Sequence, residues 1–117
     1  MRIWEVLIKK IMSALGTEFK INVSADPIDG IHMAEYDFEC TLYVYSNKSV
    51  TYKKGDEKRI KETDRDNYRI IVPAEDSVKL GKGEVMLKFT AHIPDSDFED
   101  GFRTEVVDRI CTGETIT

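Results

Sequence analysis

Two histidines, two cysteines and one acidic run are the side chains in this sequence best suited to chemistry. Asp95, Asp97, Glu99 and Asp100 crowd into a short stretch. A hard cation such as calcium wants several carboxylate oxygens of this kind. An EF-hand loop opening at Asp95 would need glycine at its sixth position, but Asp100 stands there and Gly101 follows one place late. The stretch therefore reads as a solvated acidic loop, with a structural calcium site as the alternative. His32 and His92 would have to meet each other, Cys40 or aspartates to hold a transition metal, and no ligand spacing brings them together. His92 falls on the polar side of a predicted strand and His32 in a predicted loop, so both read as surface residues. Cys40 and Cys111 belong to no C-x-x-C motif. They read as core thiols of a reduced, cytosol-made protein, with a single bridge as the alternative.

Leu80-Gly81-Lys82-Gly83 superficially suggests a phosphate-binding loop. That chemistry needs G-x-x-x-x-G-K-[ST] and a helix to follow, whereas here a strand pattern follows. The run reads as a tight turn entering a strand. No G-x-S-x-G is present, and no Ser or Cys stands beside an evident base. Paired carboxylates occur all over an acidic surface, and nothing singles out two for glycoside chemistry. The expectation is a non-enzymatic chain with no catalytic, cofactor or metal-binding residue. A small metal-dependent hydrolase would require His32 and His92 to converge with carboxylates.

Tyr43, Tyr45 and Tyr52 suggest a different use. Tyrosines grouped on one outer face suit a protein interface, because they bury area and keep a polar handle. Equally, Tyr45 and Tyr52 suit a cross-strand pair that stabilises a hairpin.

The elements that must position these residues are mostly strands. Phe19, Ile21 and Val23 alternate with polar neighbours, as do Phe38, Cys40, Leu42 and Val44, then Val50 and Tyr52, then Tyr68, Ile70 and Val72. Lys53 to Asn67 is a mixed-charge stretch that reads as an exposed hairpin or long loop. Glu75 to Leu80 reads as a connection with about one helical turn. Val85, Leu87, Phe89, Ala91 and Ile93 form the inner face of the clearest late strand, and Pro94 ends it. The last strand, Arg103 to Cys111, loses alternation at Val106-Val107, which predicts a bulge near Val107 or Asp108. Ahead of all this, Ile3, Trp4, Leu7, Ile8, Ile11 and Leu15 lie at spacings of three and four, which predicts an amphipathic helix ending at Gly16. Met12 is an alternative start.

About seven short strands with polar outer faces predict a mainly β chain, an antiparallel immunoglobulin-like sandwich, with a closed barrel as the rival. Residues 1–16 would be an N-terminal helix or extension and residues 17–117 the sandwich domain. At 117 residues the chain is one domain able to bury a core without disulfides or metal. Its 17 basic against 22 acidic residues leave a net charge of −5, which disfavours a nucleic-acid partner. No apolar run is long enough to span a bilayer, and Glu5 interrupts the opening stretch, so neither a membrane span nor a signal peptide is expected.

The run Ile93-Pro94-Asp95-Ser96-Asp97-Phe98-Glu99-Asp100-Gly101, followed by Arg103-Thr104-Glu105-Val106 and Thr112-Gly113, adds a resemblance. With the Leu80-Gly81-Lys82-Gly83 turn ahead of it, it resembles small virion proteins and fibre or baseplate modules of tailed bacteriophages and prophages of gut bacteria. The resemblance covers Phe19 to Thr112, and its specific part runs from Leu80 to Gly113. It implies an immunoglobulin-like adaptor, made in the host cytoplasm and residing in the virion. Such an adaptor attaches fibre, baseplate or capsid components, head fibres included, and assembles as a homo-oligomer. The expected contact residues are Tyr43, Tyr45, Tyr52, Asp95, Asp97, Phe98 and Arg103. Arg103 has a rival role, fixing its loop internally through Asp100 and Glu105. The alternative function is a bacterial surface or carbohydrate-binding sandwich, which calls for exposed aromatic platforms.

Overall fold

The structure is a computed structural model that describes residues 5–6, 11–45 and 48–117. Two sheets enclose one core. Along the chain run β1 (Glu5–Val6), β2 (Ile11–Ser13), β3 (Phe19–Ser24), β4 (Asp37–Val44), β5 (Lys48–Lys53), β6 (Ile60–Asp64) and β7 (Asn67–Val72). A short helix α1 (Ala74–Leu80) then leads to β8 (Gly83–Pro94) and β9 (Phe102–Ile116). The first sheet has the order β1-β3-β7-β6 and the second β2-β9-β8-β4-β5. All neighbouring strands are antiparallel except β2, which runs parallel to β9.

Strict alternation explains which faces meet. On β4, Phe38, Cys40, Leu42 and Val44 are buried while the residues between them are not. On β8 the buried set is Val85, Leu87, Phe89, Ala91 and Ile93, as period-two patterning requires. Phe19, Ile21 and Val23 of β3 and Tyr68, Ile70 and Val72 of β7 oppose them from the other sheet. Phe38 joins the layers: its ring lies 5.1 Å from Phe89 on its own sheet and 5.0 Å, edge-on, from Tyr68 on the other.

The predicted N-terminal helix is not found among the described residues. Glu5–Val6 pairs with β3 and Ile11–Ser13 pairs with the end of β9. Ile3, Trp4, Leu7 and Ile8 lie outside the described residues. A short apolar run fits a helix stripe and a strand almost equally well. Sheet edges decide between them, because β3 and the end of β9 offer backbone groups with which a further strand can pair. The described residues therefore form nine strands rather than about seven, and β9 continues past Cys111 to Ile116.

Candidate protein-contact surface

Two long connections form one end of the molecule. The segment between β3 and β4 carries a 3-10 turn at Met33–Glu35. Lys54 clamps it: its ammonium donates to the carbonyls of Met33 at 3.0 Å, Ala34 at 2.9 Å and Tyr36 at 2.7 Å. Burial lowers the pKa of Lys54 from its ordinary value, with nearby Asp37 and Glu62 opposing the shift. Asp66, in the turn between β6 and β7, accepts from Met33 N–H at 3.0 Å and meets His32 Nδ1 at 2.6 Å. His32 is thus tied to a neighbouring turn. His92 faces Asp37 in the β4–β8 ladder, so the two histidines occupy separate settings.

The second connection is the acidic loop 95–101, closed by Asp95 N–H donating to Gly101 O at 2.8 Å. Asp95 Oδ1 accepts Asp97 N–H at 3.0 Å, and Asp100 Oδ1 accepts Phe102 N–H at 3.1 Å. Arg103 then gathers three carboxylates. Its Nη1 donates to Asp95 at 3.0 Å, its Nη2 to Asp29 at 2.5 Å and its Nε to Glu105 at 3.2 Å. Asp97 N–H first, and then Arg103, hold the Asp95 carboxyl below its usual value. The guanidinium joins the acidic loop to the β3–β4 connection through Asp29, rather than through Asp100. Asp29 was not among the residues picked out by sequence. It lies far from Arg103 along the chain, and only the fold brings them together.

The seven expected contact residues divide into two groups. Asp95, Asp97, Phe98 and Arg103 share the loop end, where Phe98 is half exposed. An open depression there is lined by Phe98, Glu99, Asp100, Phe102, Arg103 and Thr104. The tyrosines sit toward the opposite end: in the β4–β8 register Asp37 faces His92 near the loop, whereas Tyr43 faces Met86 near Gly83. Tyr45 is 77% exposed, but Tyr52 turns inward and is buried. Tyr52 faces Cys40 across the ladder instead of Tyr45, and its hydroxyl donates to Asp76 of α1 at 2.6 Å. Tyr43 remains on the outer face and donates to Asp108 at 2.8 Å. The three tyrosines therefore form neither one outer platform nor the Tyr45–Tyr52 pair.

Asp108 owes its place to the β9 bulge. The pairing slips between Leu87 and Phe89 of β8, and Arg109 takes φ of 59°. A residue in the left-handed region within a bulge swings the next side chains to the other face. Val106 points out and Val107 packs against the core by the alternation that precedes the bulge, and Ile110 regains the core after it. Cys111 is turned to the exposed face, which corrects its assignment to the core. Cys40 is buried, and burial pushes its thiol up to about 12. Desolvation and neighbouring Glu84 also raise the Cys111 thiol. Both cysteines are free. A maleimide at about pH 8 should modify Cys111 alone in the folded protein and both thiols in denaturant. Rapid double labelling of the folded chain, read by intact mass, would contradict the burial of Cys40.

Sequence reasoning also passed over Phe102 and Val106, which are 46% and 52% exposed. They alternate with Arg103 and Glu105 along β9 and stand with Thr104 on its outer side. The doublet Val106-Val107 signals the bulge but not which valine is left outside. Among the described residues, no three His, Cys, Asp or Glu side chains converge as a metal-ligand group, and no helix is long and apolar enough to cross a membrane. Neither a family model nor a curated protein sequence matches the chain.

Proposed function

We propose that this chain is a non-enzymatic structural module of a tailed-phage or prophage particle, attaching fibre or baseplate components through protein–protein contact. The observation that carries the contact reading is the loop end of β9. Phe98, Phe102 and Val106 are all about half exposed there, on backbone pinned by the Arg103 network. Exposed apolar side chains on a preordered frame suit protein recognition, since little ordering entropy is lost on binding. The assignment to a virion rests on the resemblance carried by Leu80 to Gly113.

The finer fold reading is an immunoglobulin-like sandwich, and strand order supports it. The order β1-β3-β7-β6 follows A-B-E-D of that fold, and β9-β8-β4-β5 follows G-F-C-C′. In place of the tryptophan and inter-sheet disulfide of antibody domains, Phe38, Phe89 and Tyr68 link the layers.

Mass spectrometry of gradient-purified particles from a producing culture tests the proposal. Peptides of this chain should co-purify in fixed proportion to capsid and tail proteins. Abundance in the lysate with absence from particles would sink the virion reading and move a soluble binding role to first place.

A further inference from the structure

Strand β9 has two edges, and among the described residues one is largely unpaired. β8 pairs with it from Phe102 to Ile116, whereas β2 covers the other edge only from Glu114 to Ile116. Among the described residues nothing else pairs with that edge. The hydrogen bond from Asp95 N–H to Gly101 O marks that pair as a hydrogen-bonded one. By antiparallel alternation, Arg103, Glu105 and Val107 then direct their backbone groups to β8, leaving those of Thr104 and Val106 aimed at the open edge. Such an edge is a template for another strand unless charge, proline or a cover blunts it. Its outward side chains are instead Phe102, Thr104 and Val106.

We infer that the edge Phe102–Val106 pairs antiparallel with the same segment of a second copy, about a twofold axis at Thr104. The occupant follows from self-complementarity. In this register Thr104 meets Thr104, Phe102 meets Val106 twice, and Arg103 meets Glu105 twice, each pair on a common face. Moving the axis to Glu105 opposes two glutamates, and moving it to Arg103 opposes two arginines, both unfavourable. With the axis at Thr104, the two copies of Thr104 form a bonded pair and each Val106 N–H donates to the Phe102 carbonyl of the other copy, while Phe102 N–H keeps its bond to Asp100 Oδ1. The contact is isologous and joins the two β2-to-β5 sheets into one. This inference rests on reading the chain as an assembly module.

Sedimentation equilibrium of the full chain over roughly 5–500 micromolar tests it, a range suited to an interface of small area. The wild type should pass reversibly from monomer to dimer. Val106→Lys should weaken the dimer by about tenfold or more, by placing a charge against Phe102 of each partner. Thr104→Pro should do the same, because it removes an N–H that points away from β8. Circular dichroism and thermal melts on both variants check that they fold, and either folded variant suffices. A wild type that stays monomeric throughout, or a dimer that neither folded variant weakens, overturns the inference. Particle incorporation is read separately: a chain present in particles but monomeric in solution fails here alone, and a dimer missing from particles fails only the virion reading.

Discussion

Phe89→Ala should destabilise the protein by about 3–5 kcal/mol, the usual range for deleting a buried aromatic ring. Phe89 is 1% exposed at the middle of β8. Its ladder partners are Cys40 on one side and Val107 on the other. Its ring is 5.1 Å from Phe38, which in turn contacts Tyr68 across the layers. Truncation removes the ring from this chain of contacts and leaves a cavity that β-strands, held in register on both sides, cannot collapse to fill. Urea denaturation should show a lower midpoint with an unchanged slope, and the melting temperature should fall by roughly 10–20 °C. Phe89→Leu should recover most of the loss, because much of the volume returns. A loss below about 1 kcal/mol for the alanine variant would mean that the core is not packed as described.

Gly83→Ala should cost about 2–4 kcal/mol, although it adds one methyl group at the start of a strand. Two independent terms act in the same direction. Gly83 has φ of 139°, a conformation almost confined to glycine. A Cβ built there would lie 2.5 Å from Val44 Cγ1, closer than such contacts allow. Val44 is itself buried, so its side chain has little room to retreat. Combining Gly83→Ala with Val44→Ala separates the terms in a double-mutant cycle: the steric part should disappear and the backbone part remain. Full additivity of the two substitutions would show that the close approach is absent. The same pair explains why the Gly81-Lys82-Gly83 turn needs glycine at its end, a need set by packing and not by a phosphate.

Alternation alone placed the inner faces of β3, β4, β7 and β8, because a half-buried strand must repeat every two residues whatever its partners are. The turn at Gly81–Gly83, the acidic loop and the bulge in β9 were equally readable, since each leaves a local mark: paired glycines, clustered carboxylates, a broken alternation. The strands at Glu5–Val6 and Ile11–Ser13 are not legible in the sequence, because the helix and strand signals of a short apolar run differ little and distant sheet edges decide between them. Tyr52 was misplaced for a related reason. It lies on the inner face of the short strand β5, where α1 supplies Asp76 as its hydroxyl partner. Cys111 was misplaced because an inserted bulge residue reverses every face that follows it.

The residue pattern by itself determined a β-rich chain with buried alternate positions and a solvated acidic loop, because those properties depend on near neighbours. Only the tertiary structure decided that Arg103 would gather Asp29, Asp95 and Glu105, and that Phe102 and Val106 would stand on an edge with which no described strand pairs. Both depend on which strands become neighbours and on how far β2 extends along β9. Long-range pairing of this kind follows from the summed fit of two whole sheets, and no short window of sequence contains it.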